Sequence, residues 1–326
     1  MKLLQKIFTL GVGLLLLAAA PASASSEYPS RSITLIVPFA AGGPTDIVAR
    51  IISENISRTL GQQIIIENVV GAGGTTAAIR AMRSAPDGYT IIMGHMGTHA
   101  AAVSIYPNLA YNPATDFEPI GMVVGMPVLI LVNKDLPVRD LAEFIAYAKQ
   151  HPQKLSMAHA GVGSVAYTTC HLFNSVAGIK SNMVAFQGTG PAMGALLAGK
   201  VDYMCDQIVS VVPQAQANAI HPLAISTKMR SPALPDVPTA AEVGLPEFDL
   251  LAWNALFAPK ATPQAVIDKL NSALSKALDD QSVRQQLQAL GGEIPDWESR
   301  SPQALSHLVK AEIAKWVALK AAHPSN

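Results

Sequence analysis

The sequence predicts an α/β fold with a mostly parallel β-sheet. Short apolar runs with the composition of buried strands alternate with longer amphipathic runs, and turns rich in glycine join them. The first unit has a strand pattern over Ile33–Val37, the turn Pro38–Asp46 with its paired glycines, and a helix pattern over Asp46–Leu60. In sheets built from such units, ligands bind at the carboxyl ends of the strands, where these turns lie.

The same alternation continues along the chain. Further strands are predicted over Gln63–Glu67, Thr90–Met93, Pro127–Val132, Leu155–Ala158, Met183–Phe186, Val201–Cys205 and His221–Ser226. Further helices are predicted over Ala77–Arg83, Asp140–Gln150, Val165–Val176, Ala192–Gly199, Pro263–Leu278, Ser282–Leu290 and Pro302–Ala322. The last three helix patterns carry no polar cluster, and we expect them to pack over the lobe formed by the N-terminal units.

Four turns rich in small residues separate a predicted strand from a predicted helix. They are turn 1 (residues 38–46), turn 2 (70–76), turn 3 (159–164) and turn 4 (187–191). Each directs free backbone N–H groups and the positive end of a helix dipole beyond the strand end, which favours an anion. Turn 1 has no charged residue, histidine or cysteine before Asp46, so it offers little for acid–base or covalent catalysis.

The positions of these turns indicate two similar lobes that face each other across a cleft. Two turns precede residue 125 and two follow it. We therefore assign residues 25–124 together with 227–326 to domain 1, which anchors the ligand. Residues 125–226 form domain 2, which closes over it and sets specificity.

The first 24 residues have the features of a cleaved signal peptide. Lys2 and Lys6 precede the apolar stretch Ile7–Ala20, and Ala22-Ser23-Ala24 is an A-x-A cleavage site. The apolar stretch is short for a membrane span, and no cysteine follows the cleavage site for lipid attachment. We expect an exported protein in the periplasm, without stable membrane insertion.

Composition restricts the classes of partner. The chain has 23 basic and 23 acidic residues, and charged residues make up only 14% of it. No basic patch predicts binding to nucleic acid or to an anionic membrane surface. If the protein binds anions, the positive potential must come mainly from backbone dipoles.

The two cysteines and the paired histidines have structural and functional interpretations. An even number of cysteines in an oxidising compartment permits a disulfide between Cys170 and Cys205, and two buried free thiols are the alternative. His95 and His99 are four residues apart, but on a predicted strand end and loop, where we favour pocket lining over metal binding. We expect no metal and no cofactor.

The segment 161–166 and the residues Ser164, Asp46 and Asp206 have competing interpretations. The segment 161–166 matches G-x-G-x-x-A but lacks the later acidic residue of a dinucleotide site. Ser164 does not lie in a nucleophile elbow. An exported hydrolase that uses Ser164, or a metalloenzyme that uses His95 and His99, is therefore a weaker alternative than a protein that only binds its ligand. Asp46 is favoured as a helix cap that holds turn 1, although pairing with an amino group of the ligand stays open. Asp206 follows a predicted strand and has the same two possible roles.

Several motifs in order resemble those of one family. Turn 1 resembles the signature V-P-F/Y-x-x-G-G-x-x-D, and Asn68–Gly74 resembles N-x-x-G-A-G-G. Later landmarks are Pro86–Thr90, Phe186–Ala192 and Pro235–Thr239. The chain is identified as a member of the Bug-type solute receptors of tripartite tricarboxylate transporters, with a match over essentially the whole mature chain.

The resemblance implies a type II periplasmic binding protein fold, with two α/β domains joined by two crossover connections, and no catalysis. It implies a small organic carboxylate ligand and delivery to the membrane components of a tripartite tricarboxylate transporter, or alternatively to a signalling sensor, by a monomeric receptor. Carried over in domain 1, the ligand-binding positions are Phe39, Ala40, Gly43, Thr45, Ala72, Gly73 and Thr75, with Thr98 and His99 nearby. Those in domain 2 are Gly161, Ser164, Thr168, Gln187, Gly188 and Asp206.

One position departs from the family pattern. The family commonly has Lys or Arg where this chain has Gln187, within Ala185–Gly188. Loss of that cation removes a partner for a distal carboxylate. The sequence therefore favours a monocarboxylate, an amino acid or a ligand with a neutral distal group over a citrate-like trianion.

Overall fold

The computed structural model describes residues 28–322, so the predicted signal peptide lies outside the described residues. The strands within this range are β1 Ile33–Val37, β2 Ile64–Asn68, β3 Thr90–His95, β4 Phe117–Asn133, β5 Ser156–His159, β6 Asn182–Ala185, β7 Tyr203–Gln207, β8 Ile220–Ile225 and β9 Leu251–Pro259. The α-helices are α1 Pro44–Leu60, α2 Thr75–Met82, α3 Ala102–Ile105, α4 Leu141–Gln150, α5 Val165–Ala177, α6 Thr189–Leu197, α7 Ile208–Gln216, α8 Gln264–Asp279, α9 Gln281–Ala289 and α10 Pro302–Ala322.

Two sheets share one long strand. In the first sheet β2, β1 and β3 are parallel, and β9 pairs antiparallel with both β3 and β4. In the second sheet β6, β5 and β7 are parallel, and β4 pairs antiparallel with β7 and β8. We call the first sheet with its helices lobe 1, and the second sheet with its helices lobe 2.

Strand β4 connects the lobes because its two halves pair with different partners. From Phe117 to Pro127 it pairs with β9, and from Val128 onwards it pairs with β7. The pairing register with β9 shifts after Pro119 and after Met122, as at β-bulges. Such bulges accommodate Pro119, which has no N–H for a sheet hydrogen bond.

The core of lobe 1 lies on both faces of its sheet. On β1, Ile33, Leu35 and Val37 share a buried cluster with residues of α1 and α8. Ile36 belongs to the opposite cluster, with residues of α2 and α10. A parallel sheet covered by helices on both faces requires near-continuous apolar strands, which explains why β1 shows no polar alternation.

The predicted α/β fold is confirmed, and most predicted bounds agree with the structure within three residues. The prediction of a mostly parallel sheet was wrong, because every pairing of the long strands β4 and β9 is antiparallel. The prediction was wrong for β4, which begins at Phe117 instead of Pro127. Strand β9 and helices α3 and α7 were missed. Helix α7 contains Pro213, and β9 is apolar except for Asn254, without the alternation that identifies a strand.

A disulfide joins α5 to β7 in lobe 2. The Cα atoms of Cys170 and Cys205 are 5.3 Å apart, and both side chains are fully buried. The bridge closes a loop over a sequence separation of 35 residues. In the loop-entropy description, a loop of that length contributes about 4 kcal/mol by restricting the unfolded chain.

None of the helices between residues 28 and 322 combines the length and the hydrophobicity of a membrane-spanning segment.

Candidate functional site

Turn 1 of lobe 1 and turn 4 of lobe 2 lie in direct contact. The backbone N–H of Ala40 donates to the carbonyl oxygen of Gln187 at 3.1 Å. A Cβ atom on Gly188 would lie 3.1 Å from the Ala40 nitrogen, and one on Gly43 would lie 2.8 Å from the Thr189 hydroxyl oxygen. Small residues are therefore required on both sides of this contact.

Turns 2 and 3 approach each other even more closely. Gly73 has a left-handed backbone with φ of 61°, and a Cβ atom there would lie 1.7 Å from the carbonyl oxygen of Val162. A Cβ atom on Gly161 would in turn lie 3.0 Å from the Gly73 nitrogen. The Tyr106 hydroxyl links the two turns, 3.0 Å from the Ala72 carbonyl oxygen and 2.5 Å from that of Val162.

Each of the four turns leads into a helix. Helices α1, α2, α5 and α6 begin at Pro44, Thr75, Val165 and Thr189. The N-terminus of a helix carries a partial charge of about +0.5 from its unpaired N–H groups. Two such termini on each lobe therefore provide positive potential at the contact between the lobes, without a charged side chain.

A narrow cavity lies between turns 1, 3 and 4. It offers about 10 Å³ to the centre of a water molecule, which is about what one water needs. Five predicted site residues line it, and so do residues that the sequence interpretation did not select. The predicted ones are Phe39, Gly43, Thr45, Asp46 and Ser164. The others are Pro44, Ala160, Val165, Ala166, Thr189 and Gln207.

Asp46 supports turn 1 from inside helix α1. Its carboxylate accepts hydrogen bonds from the Gly42 N–H at 3.0 Å, from the Arg50 guanidinium at 2.9 and 3.0 Å, and from the Asn68 amide at 3.0 Å. Burial alone would raise the pKa of Asp46, but these donors outweigh it and hold the pKa below its ordinary value. The predicted position as the helix cap was wrong, since Gly43 is the N-cap residue and Asp46 lies in the first turn.

Ser164 is the N-cap residue of α5, where its hydroxyl oxygen accepts the N–H of Tyr167 at 3.1 Å. Thr168 donates to the Ser164 carbonyl oxygen at 2.8 Å, within the same helix. Thr75 similarly donates to the Ala72 carbonyl oxygen at 2.9 Å, within turn 2. The hydroxyls of Thr75 and Thr168 thus stabilise their own turns, and neither residue lines the narrow cavity.

His99 lies in the aromatic core. The residues after β3 form a helical turn over Gly97–Ala101 instead of the expected loop. The His99 ring stacks on Phe257 with centroids 4.1 Å apart, and its Nδ1 lies 2.9 Å from the Thr98 hydroxyl oxygen. Both Thr98 and His99 are fully buried. Burial lowers the pKa of His99 to about 3, so the ring is neutral at physiological pH.

His95 is also fully buried, and its ring lies 5.2 Å from that of Phe39. Its Nδ1 accepts the Gly97 N–H at 2.9 Å, which places the proton of the neutral ring on Nε2. Nε2 has no hydrogen-bond partner among residues 28–322. Asn254, opposite His95 in the pairing of β3 with β9, has two buried amide atoms that equally lack a partner within that range.

Gln207 provides a further unpaired group at the cavity itself. Its Oε1 is buried and has no partner among the described residues. Buried polar groups are nearly always hydrogen-bonded, so unpaired ones close to a cavity indicate contacts for a ligand or for water. The sequence places Asp206 and Gln207 at the same strand end but cannot tell which faces the cleft, because adjacent strand residues point to opposite faces.

Asp206 is the residue of that pair that faces away from the narrow cavity. It is 1% exposed, and it accepts the Ser210 hydroxyl at 2.6 Å and the Gln207 N–H at 2.8 Å. Burial raises the pKa of Asp206 to about 7, although both hydrogen bonds oppose the shift.

Among residues 28–322, no group of three or more His, Cys, Asp or Glu side chains is arranged to hold a metal ion.

The raised pKa of Asp206 predicts a pH-dependent stability. Between about pH 4 and pH 7 the folded protein keeps a proton that the unfolded chain releases, so the free energy of unfolding falls as pH rises. Relative to Asp206→Asn, we expect the wild type to lose roughly 3 kcal/mol between pH 4.5 and 7.5, measured by urea denaturation. Ser210→Ala, which removes a donor to the carboxylate, should steepen this dependence. A difference between wild type and Asp206→Asn that stays constant with pH would contradict the prediction.

Comparison with known proteins supports the resemblance. The family described as "Tripartite tricarboxylate transporter family receptor" (TctC) matches residues 48–323. MatC (Rpa3494) from Rhodopseudomonas palustris, solved with bound malate, is 50% identical with a TM-score of 0.88, covering 90% of this chain and 99% of that one. The periplasmic binding protein BugD is 38% identical with a TM-score of 0.88, covering 91% and 98%.

A third solved structure extends the comparison. Rpa4515 of R. palustris, solved with adipate, is 34% identical with a TM-score of 0.86, and the match covers 91% of this chain and 98% of that one. The predicted family and the predicted absence of catalysis agree with a family of solute receptors. The chain belongs to the TctC (Bug-type) family of periplasmic solute-binding receptors.

Proposed function

We propose that this protein captures a small organic carboxylate between its two lobes and delivers it to the membrane components of a tripartite tricarboxylate transporter. The observation that carries the proposal is the contact between the lobes at four helix-starting turns, two from each lobe, three of which line a cavity without cationic side chains. The 50% identity to MatC, solved with malate, supports a carboxylate as the ligand class.

The lining of the cavity defines the ligand further. No Lys or Arg is among the described residues that line it, and Gln187 of turn 4 is neutral. Helix N-termini each stabilise a nearby negative charge by about 1 kcal/mol, which suits one or two carboxylates better than three. We therefore propose a mono- or dicarboxylate, with the four-carbon dicarboxylates as first candidates because of the similarity to MatC.

We propose contacts of two kinds. Backbone N–H groups of turns 1 to 4, with the hydroxyls of Thr45, Ser164 and Thr189, hold a carboxylate. Gln207, with the buried partnerless groups of His95 and Asn254, reaches the rest of the ligand directly or through water. Satisfying these groups on binding recovers free energy, because each unpaired buried polar group costs about 1–3 kcal/mol.

Ligand entry requires the turns to separate. The narrow cavity has space for about one water, so we propose that the lobes open around the segments where β4 and β9 join them. Residues 25–124 with 227–326, and residues 125–226, are then the two moving domains. We propose that these contacts between the turns belong to the closed arrangement, and that the cavity widens where a ligand takes the place of the water.

Calorimetric titration of the mature protein tests the ligand class. The panel contains L-malate, succinate and adipate as dicarboxylates, pyruvate as a monocarboxylate, L-aspartate as an amino acid and citrate as a tricarboxylate. We expect a mono- or dicarboxylate to bind most tightly and citrate at least 10-fold more weakly. Binding by no member, or by citrate alone, would overturn the proposal. Loss of uptake of the bound acid when the gene is deleted would separate transport from signalling.

Gly73→Ala tests closure. In the closed arrangement its new Cβ atom would overlap the Val162 carbonyl oxygen, so we expect at least a 10-fold loss of affinity for the ligand found in the panel. Gly42→Ala is the matched control, since Gly42 also has a positive φ of 83° but has no atom within 4 Å of a Cβ. Both variants should lose about 1–2 kcal/mol of stability from backbone strain. Equal affinities would contradict closure at this contact.

Asp46→Asn separates support of turn 1 from ligand contact. The variant loses the charge that accepts from Arg50, so we expect a fall of about 2 kcal/mol in the free energy of unfolding. Affinity for the ligand found in the panel should stay within threefold, since four donors of the chain already occupy the carboxylate. A selective loss of affinity for L-aspartate of 10-fold or more, absent in Arg50→Ala, would show that Asp46 pairs with an amino group.

A further inference from the structure

A second and larger cavity lies between the lobes. Its volume is about 170 Å³, which is comparable to an apolar cavity of about 150 Å³ that holds benzene. We call it the interlobe cavity. None of its lining residues lines the narrow cavity between turns 1, 3 and 4.

Lobe 1 contributes one wall through helices α3 and α10. Trp316 and Leu319 provide apolar surface, together with Ile105. Trp316 is 4% exposed although it lies on the C-terminal helix. Lys320 brings the only cationic ammonium among the described residues of this lining, and it donates to the carbonyl oxygen of Ser104.

Lobe 2 contributes the opposite wall through helix α5 and turn 3. Leu172 and Val162 are its aliphatic members. The rings of Tyr167 and His171 are parallel within 1°, with centroids 5.7 Å apart. Burial lowers the pKa of His171, so this ring is neutral at physiological pH.

The lining therefore has a defined chemical character. Most of it is apolar or aromatic, and the described lining residues include Lys320 but no carboxylate. A flat apolar molecule fits such walls because aromatic rings pack favourably face to edge or offset. An anionic group on that molecule would be attracted to Lys320. The cavity also requires both lobes, since neither wall encloses it alone.

We propose that the interlobe cavity is a second binding site for a small aromatic carboxylic acid. The ring packs between Trp316 and Leu172, and the carboxylate lies near Lys320. Because the walls come from both lobes, occupancy favours the arrangement in which the lobes are in contact. If the protein closes on its ligand as proposed above, linkage makes the two ligands bind with positive cooperativity.

The experiment uses 4-fluorobenzoate as the probe and the mature protein without other ligand. Fluorine NMR should detect binding with a Kd on the order of 1 mM, as expected for a fragment of this size. Leu319→Trp, which fills the cavity, should weaken binding at least 10-fold. Val317→Trp is the matched control, because Val317 lies on the same helix and is 48% exposed. Equal binding by these two variants would place the probe elsewhere and overturn the proposal.

Two further variants keep the outcome interpretable. Lys320→Met should weaken 4-fluorobenzoate at least fivefold but leave 4-fluorobenzyl alcohol unchanged, and equal loss of both would contradict the role of the charge. If Leu319→Trp unfolds, Leu319→Ala replaces it, and the enlarged cavity should bind fluoronaphthoate more tightly than the wild type does. Unchanged fluoronaphthoate binding would contradict the site.

The cooperativity between the two ligands rests on the proposed function, and it is tested in a separate experiment. The affinity for the acid found in the panel should rise at least threefold when 4-fluorobenzoate is present, in the wild type but not in Leu319→Trp. A panel without any ligand would overturn the proposed function and leave the probe-binding result standing. Probe binding without a rise in affinity would overturn only the coupling.

Discussion

The structure depends above all on the close approach of backbone to backbone between the two lobes. At Gly73 the chain adopts a left-handed conformation, and the Val162 carbonyl oxygen occupies the space where a side chain would begin. Gly188 and Gly43 lie at the second contact between the lobes, where the backbone is extended and only the short distance favours glycine. At Gly73 glycine allows both the conformation and the distance, and together these contacts bring helix N-termini from separate lobes to one place.

That arrangement would allow a protein with equal numbers of acidic and basic residues to hold the proposed anion. The helix termini supply positive potential without side chains that titrate, so affinity for a carboxylate would change little with pH in the neutral range. The family to which the chain belongs consists of solute-binding receptors and not of enzymes. Unpaired polar groups of His95, Gln207 and Asn254 lie buried nearby. They reduce the stability of the protein and are consistent with a site that is completed by a ligand.

The turns are held in place by a charged residue in lobe 1 and by a disulfide in lobe 2. Asp46 receives the Gly42 N–H and the Asn68 amide, so it joins turn 1 to the end of β2, while Arg50 neutralises its charge. In lobe 2 the disulfide attaches α5, the helix that begins at turn 3, to β7 and thereby to Gln207. These supports reduce the entropy that the turns would lose on binding.

The sequence alone determined the α/β fold, the family, the four turns and most element bounds, because strand, glycine turn and helix are local patterns. It also gave five residues of the narrow cavity, among them Phe39, Gly43 and Ser164. Only the tertiary structure decided that Gln207 and not Asp206 faces this cavity, since alternation along a strand does not reveal which face is inside. It also placed His99 in the aromatic core, showed that Asp46 supports turn 1 from the first turn of α1 instead of capping the helix, and gave β4 pairing partners in both lobes. These features depend on contacts between residues far apart in the chain, which no local pattern encodes.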